Sequence, residues 1–392
     1  MSCDAGPAPA ASSANGPPLP PLPWAGGPWA TIDRAAANLL PAYFALVMAT
    51  GIVSLAASIQ GLAAVARGMF WLNLVFFAAL WGLTLLRIAR HRGRLIADVN
   101  DHNRSVGFFT SIPAACVLGT QALLIADTPA LAWSLWALGA ALWVVVTYTV
   151  FTALTVKPVK PALADGLNGG WLVSIVATQA VSVLASQLAA HGASVGAGAE
   201  RTNALLFVAL VMWLGGAMLY VWIISLIFYR YTFFPFKPSD LSPPYWINMG
   251  AMAISTLAGV TLLLSGKHSP LIEGLAPFIK GATLLFWATA TWWIPMLLIL
   301  GVWRHIVKRF PLRYDPLYWG AVFPLGMYSV ATARMVGAMD LPYLRSLPSV
   351  FCYVALAAWT AALLGLVHRI VKGAPPPAVP PTPSPVALEP RA

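Results

Sequence analysis

The sequence predicts an all-α polytopic membrane protein: ten transmembrane helices, arranged as five helical hairpins around a central pore. Three observations predict it. Of 392 residues, 59% are hydrophobic and 9% are charged, whereas a soluble domain carries about 25% charged residues. Ten apolar stretches reach the ~20 residues that a helix needs to cross the hydrocarbon core. Alternate stretches differ consistently in composition.

The elements follow in order. Residues 1–38 include GPPLPPLPWAGGPW (16–29) and show no basic stretch followed by an apolar run, so no signal peptide is read there. Such a segment cannot bury enough apolar surface to offset chain entropy and is expected to be a disordered Pro-rich tail. The ten segments fall near 40–61, 69–88, 106–126, 129–153, 170–191, 204–229, 245–265, 279–303, 317–337 and 347–369. Residues 371–392, with APPPAVPPTPSPVALEP (374–390), form a second Pro-rich tail. The transmembrane domain is therefore 39–370.

Lys and Arg set the orientation. The two tails and the connections after the even segments hold 17 of the 23, with RIARHRGR (87–94) and WRHIVKRFPLR (303–313) the strongest runs. Both termini are expected on the cytoplasmic side of the plasma (cell inner) membrane. The net charge of +11 is thus topology, and no basic patch outside the membrane flanks points to nucleic acid. Cys3, Cys116 and Cys352 have neither metal spacing nor a disulfide framework, and no cofactor is expected.

In matched 21-residue windows, Ser, Thr, Asn and Gln number 21 in the odd segments and 10 in the even ones. Tryptophan runs the other way, 3 against 11. Bulky apolar helices can face lipid, whereas polar side chains turn to partners or water. The odd segments are expected inside and the even ones outside. Each odd segment also opens on an aromatic residue and reaches small or polar residues about seven positions later, which suggests a hairpin repeat.

Two odd segments carry hydroxyls four residues apart: Thr50, Ser54, Ser58 and Ser174, Thr178, Ser182. Each trio shares one helix face. Two readings stand. The hydroxyls line a pore, or they let helices pack closely and bond backbone carbonyls. Pro324, in the ninth segment, interrupts the hydrogen-bond ladder and predicts a kink, and Pro113 predicts another in the third.

YWGAVFPLGMYSVAT (318–332) and LLPAYFALVMATGIVSLA (39–56) resemble the ninth and first helices of the tellurite-resistance/dicarboxylate transporter family. That family includes the plant guard-cell slow anion channel and its bacterial homologues. DHNRSVGFFTSIP (101–113) is similar to the family's approach to the third helix, with Asn103 where a proline is usual. The resemblance implies a five-hairpin barrel, usually a homotrimer, that transports small anions: chloride, nitrate, malate and other dicarboxylates, sulfite or tellurite. It also implies a pore-occluding phenylalanine, which falls on Phe323; packing in a core is the alternative.

No Asp, Glu or His falls within the ten apolar cores. A cation path usually shows acidic rings, and a proton-coupled carrier an intramembrane titratable group. Arg334 follows Phe323 by eleven residues, about three turns or ~16 Å along a helix. The two share a face with Trp319, Met327 and Val330, which makes Arg334 a candidate to attract anions at the far mouth. Snorkelling, or pairing with Asp340, is the alternative. An anion channel or exporter is the primary expectation, and a proton-coupled dicarboxylate carrier of the same fold is the second. A membrane enzyme would cluster His, Asp or Cys at one face; DVNDHN (98–103) is the nearest approach and reads as a turn anchor.

Overall fold

The computed structural model describes residues 27–372. Ten long helices dominate them: α1 Ala45–Ile59, α2 Ala63–Arg90, α3 Ser111–Leu124, α4 Pro129–Val156, α5 Val173–Ser194, α6 Ala199–Phe233, α7 Ile247–Ser265, α8 Ala276–Val302, α9 Trp319–Met339 and α10 Leu347–Val371. Counted with their adjoining turns, nine are long and apolar enough to cross a membrane, among the described residues. The tenth is α9. Its 21 residues span about 31 Å at ~1.5 Å each, enough for the hydrocarbon core. Pro324, Ser329, Thr332, Arg334 and three glycines lower its apolarity.

The odd helices are the buried ones. Between 78% and 94% of the apolar window of α1, α3, α5 and α7 is buried, against 17% to 39% for the even helices. Helix α1 packs on α3, α3 on α5, α5 on α7, α7 on α9, and α9 back on α1. These contacts close a ring of five. Each even helix packs on the odd helix before it and also touches the next odd helix round, α8 through Trp287 and Thr291. The compositional alternation is therefore an inner and an outer shell.

The aromatic starts of the repeats have a structural counterpart. A short 3₁₀ turn leads into every odd helix: Pro41–Phe44, Ser105–Thr110, Gly169–Leu172, Pro243–Trp246 and Pro316–Tyr318. Pro113 lies at such a junction, in the first turn of α3. A proline there displaces little of the ladder, so the predicted kink at Pro113 gives way to a helix start. Pro324 does lie inside α9, and Pro295 lies inside α8.

The end bearing the termini of the described residues, 27 and 372, is tied down by basic side chains. Near the close of four even helices, Arg87, Lys157, Arg230 and Arg304 donate to the carbonyls of Leu39, Asn100, Ala164 and Leu241. Each carbonyl shortly precedes the 3₁₀ turn of the same hairpin. A cation at a helix C-terminus also meets the negative end of the helix dipole. In the fifth hairpin the Tyr314 ring lies against Gly365 of α10 instead, so close that a Cβ at Gly365 would sit 2.6 Å from it.

One stretch departs from the sequence expectation. Pro28–Ala37, inside the segment read as tail, is a helix packed on α2. Asp33 holds it through Arg90 at 3.3 Å and His91 at 3.2 Å. These partners are far away in sequence, so local composition did not reveal them. Residues 1–26 and 373–392 of the two predicted tails lie outside the described residues, and Val371 belongs to α10.

Candidate functional site

Helix α9 is oriented by its neighbours. On one side, Tyr328 Oη and Thr291 Oγ1 of α8 are 2.7 Å apart, and Trp287 of α8 donates its indole N–H to Thr332 at 3.0 Å. Ser329 donates to the Pro348 carbonyl of α10 at 2.7 Å. Gly326 lies against Ile52 and Val53 of α1, and the Pro324 ring lies against Gly250 of α7. Those two glycines permit the close approach that closes the ring at α9. At about 100° per residue, Phe323, Val330 and Arg334 fall on the side opposite Thr332, between α1 and α7. Phe323 is 1% exposed.

At the end of the bundle away from the termini, this side of α9 opens into a cavity of about 510 Å³. Ser58 and Ile59 of α1, Leu264 of α7, and Ala333, Arg334, Gly337 and Ala338 of α9 line it. Arg334 is exposed there and makes no ion pair with Asp340 or any other described residue.

The hydroxyl trios take a different direction. Thr50 accepts the indole N–H of Trp359 of α10 at 3.0 Å, and Ser54 donates to the Ala66 carbonyl of α2 at 2.7 Å. Thr178 accepts from Trp143 of α4 at 2.8 Å and donates to the Ser174 carbonyl. Ser182 donates to the Ala209 carbonyl of α6, and Ser174 to the Trp171 carbonyl. Five of the six hydroxyls are thus bonded within their own segment or to the outer shell, and Ser58 lines the cavity. The opposite faces of α1 and α5 carry Met48, Ile52 and Leu55, and Val176, Ala180 and Val183, all buried.

These bonds join the two compositional trends. Tryptophans of the outer helices donate to hydroxyls or carbonyls of the inner ones: Trp136, Trp143, Trp213, Trp287 and Trp359 all do so. Interhelical hydrogen bonds of this kind contribute about 0.6 kcal/mol on average within a bilayer.

On the side of the termini, Asp98 is buried between two arginines, 2.6 Å from Arg87 and 2.5 Å from Arg104. Asn103 bridges two connections, donating to the Asp165 carbonyl and accepting from Asn168 at 2.8 Å. The motif DVNDHN is thus a turn anchor. Burial holds the His102 imidazole below its ordinary range, Lys157 and Lys160 add to the shift, and Asp101 opposes it. Among the described residues no group of three His, Cys, Asp or Glu is placed to hold a metal.

The tryptophan ties, the basic anchors and Pro295 were not foreseen from the sequence. The signal for the first was present, because tryptophan excess in one shell mirrors hydroxyl excess in the other.

The family described as voltage-dependent anion channel matches residues 38–367 of this chain. A transporter of Methanocaldococcus jannaschii is 27% identical over 309 residues, covering 76% of this chain and 84% of its own. A sulfite efflux pump of Arthroderma benhamiae is 24% identical over 367 residues, covering 86% and 92%. A membrane protein of Mycobacterium tuberculosis is 40% identical over 152 residues, covering 39% and 77%.

Proposed function

Because the chain belongs to the voltage-dependent anion channel family, we propose that it carries small anions along the axis of the inner ring, with Phe323 as the plug. All ten long helices span the membrane in this reading, as five hairpins around a central pathway. The termini are cytoplasmic, the membrane is the plasma (cell inner) membrane, and three copies assemble. Arg334 attracts anions at the far mouth.

One observation carries the reading: an arginine without an ion-pair partner among the described residues shares with Phe323 the side of α9 that faces neither outer helix. In this reading the walls supplied by α1 and α5 are largely apolar, since Thr50, Ser54, Ser174, Thr178 and Ser182 are bonded elsewhere. A weakly binding wall lets an ion enter and leave. The fungal relative adds sulfite to the anions worth assaying.

The test is anion uptake into proteoliposomes with chloride, nitrate, sulfite and malate, with and without a pH gradient. Uptake independent of the gradient is expected. Malate uptake that requires the gradient would replace the channel reading with proton-coupled carriage.

A further inference from the structure

The cavity at Arg334 is larger and more apolar than a simple inorganic anion needs. Its volume, about 510 Å³, lies within the range of small-molecule sites. Ile59 and Leu264 are 38% and 50% exposed there, although they belong to helices that are otherwise buried. Ala333 and Ala338 extend the apolar wall.

The cavity also sits at three helix C-termini. Ile59 ends α1, Leu264 is next to the end of α7, and Gly337 and Ala338 lie in the last turn of α9. Helix C-termini carry partial negative charge. Of the residues that line the cavity one is a cation, Arg334, and the Ser58 hydroxyl lies on the same wall. A single lining cation matches one negative charge better than two. The apolar wall rewards a hydrocarbon body attached to the charge.

We propose that this mouth is a binding site for an organic monoanion with an apolar body, its acid group on Arg334 and its hydrocarbon part against Ile59 and Leu264. The site rests on the anion-transport reading only for its consequence. An occupant there blocks passage from the side away from the termini.

Alkanesulfonates of one to six carbons are the probes, because they stay ionised and do not cross the bilayer as neutral acids. Binding is measured by calorimetry on solubilised protein, and block by chloride uptake into proteoliposomes. Affinity should rise about three- to fourfold per methylene over the first few carbons. Arg334→Gln should weaken every member of the series at least about tenfold, since a charged hydrogen-bonded contact is lost. Ile59→Ser with Leu264→Ser should flatten the chain-length dependence while methanesulfonate binds as before. Equal affinity across the series, or an unchanged slope in the serine variant, would overturn the site. Chain-length-dependent binding to a protein that passes no chloride would keep the site and remove the transport reading.

Discussion

Arg334 differs from the arginines at the opposite end of the bundle. At the end bearing the termini, Arg87, Arg104, Arg230 and Arg304 each bond a carboxylate or a backbone carbonyl. At the other end, Arg334 has no described partner and faces a cavity. The first group holds the connections between helices in place. The second is available to a ligand. Partners, rather than the count of basic residues, decide what a charge does.

The largest expected effect lies at the anchored end. Asp98→Ala leaves Arg87, only 2% exposed, without its carboxylate. Breaking a buried pair this way costs about 3–5 kcal/mol, so thermal unfolding in detergent should shift strongly downward. An unchanged midpoint would mean that the arginines there are as free as Arg334.

At the other end the effect should be on transport alone. Arg334→Ala should lower anion uptake several-fold with the unfolding midpoint unchanged. Loss of stability instead would make Arg334 another anchor and remove the contrast.

Smaller effects sharpen the picture between the shells. Trp359→Phe removes the bond to Thr50 and should cost about 0.6 kcal/mol, read as a small drop in the same midpoint. His102 gives the smallest. Its imidazole titrates below the ordinary range in the folded protein, whereas the unfolded chain takes up its proton near pH 6.5. The unfolded state therefore binds more protons just below that pH, and stability falls as pH falls toward the folded value. His102→Asn should flatten the decline of the midpoint between pH 7.5 and 5.5.

Much of this architecture was legible in the amino acids. The polar and small odd segments are the inner helices, and the tryptophan-rich even segments surround them. Boundaries shifted where helices outlast their apolar cores: the segment expected at 204–229 is α6, Ala199–Phe233. The direction of the hydroxyls was not legible. Spacing by four puts Thr50 and Ser54 on one face, but the rotation of that helix in the bundle decides what the face meets. Here it meets Trp359 and the Ala66 carbonyl. The helix Pro28–Ala37 was hidden for a related reason, since its ion pairs reach across to α2. For α9, Phe323 and Arg334 could be put on one face from spacing alone. The packing of Gly326 and Pro324 against α1 and α7 added where that face lies.

In the proposed function the Phe323 ring obstructs an anion path along the inner ring. The most direct test is chloride uptake into proteoliposomes by Phe323→Ala beside the unaltered protein, at matched protein content and orientation. Uptake should rise at least about tenfold, the equivalent of removing ~1.4 kcal/mol of barrier. Uptake equal to that of the unaltered protein, from a folded variant, would contradict it and return Phe323 to the core of the bundle.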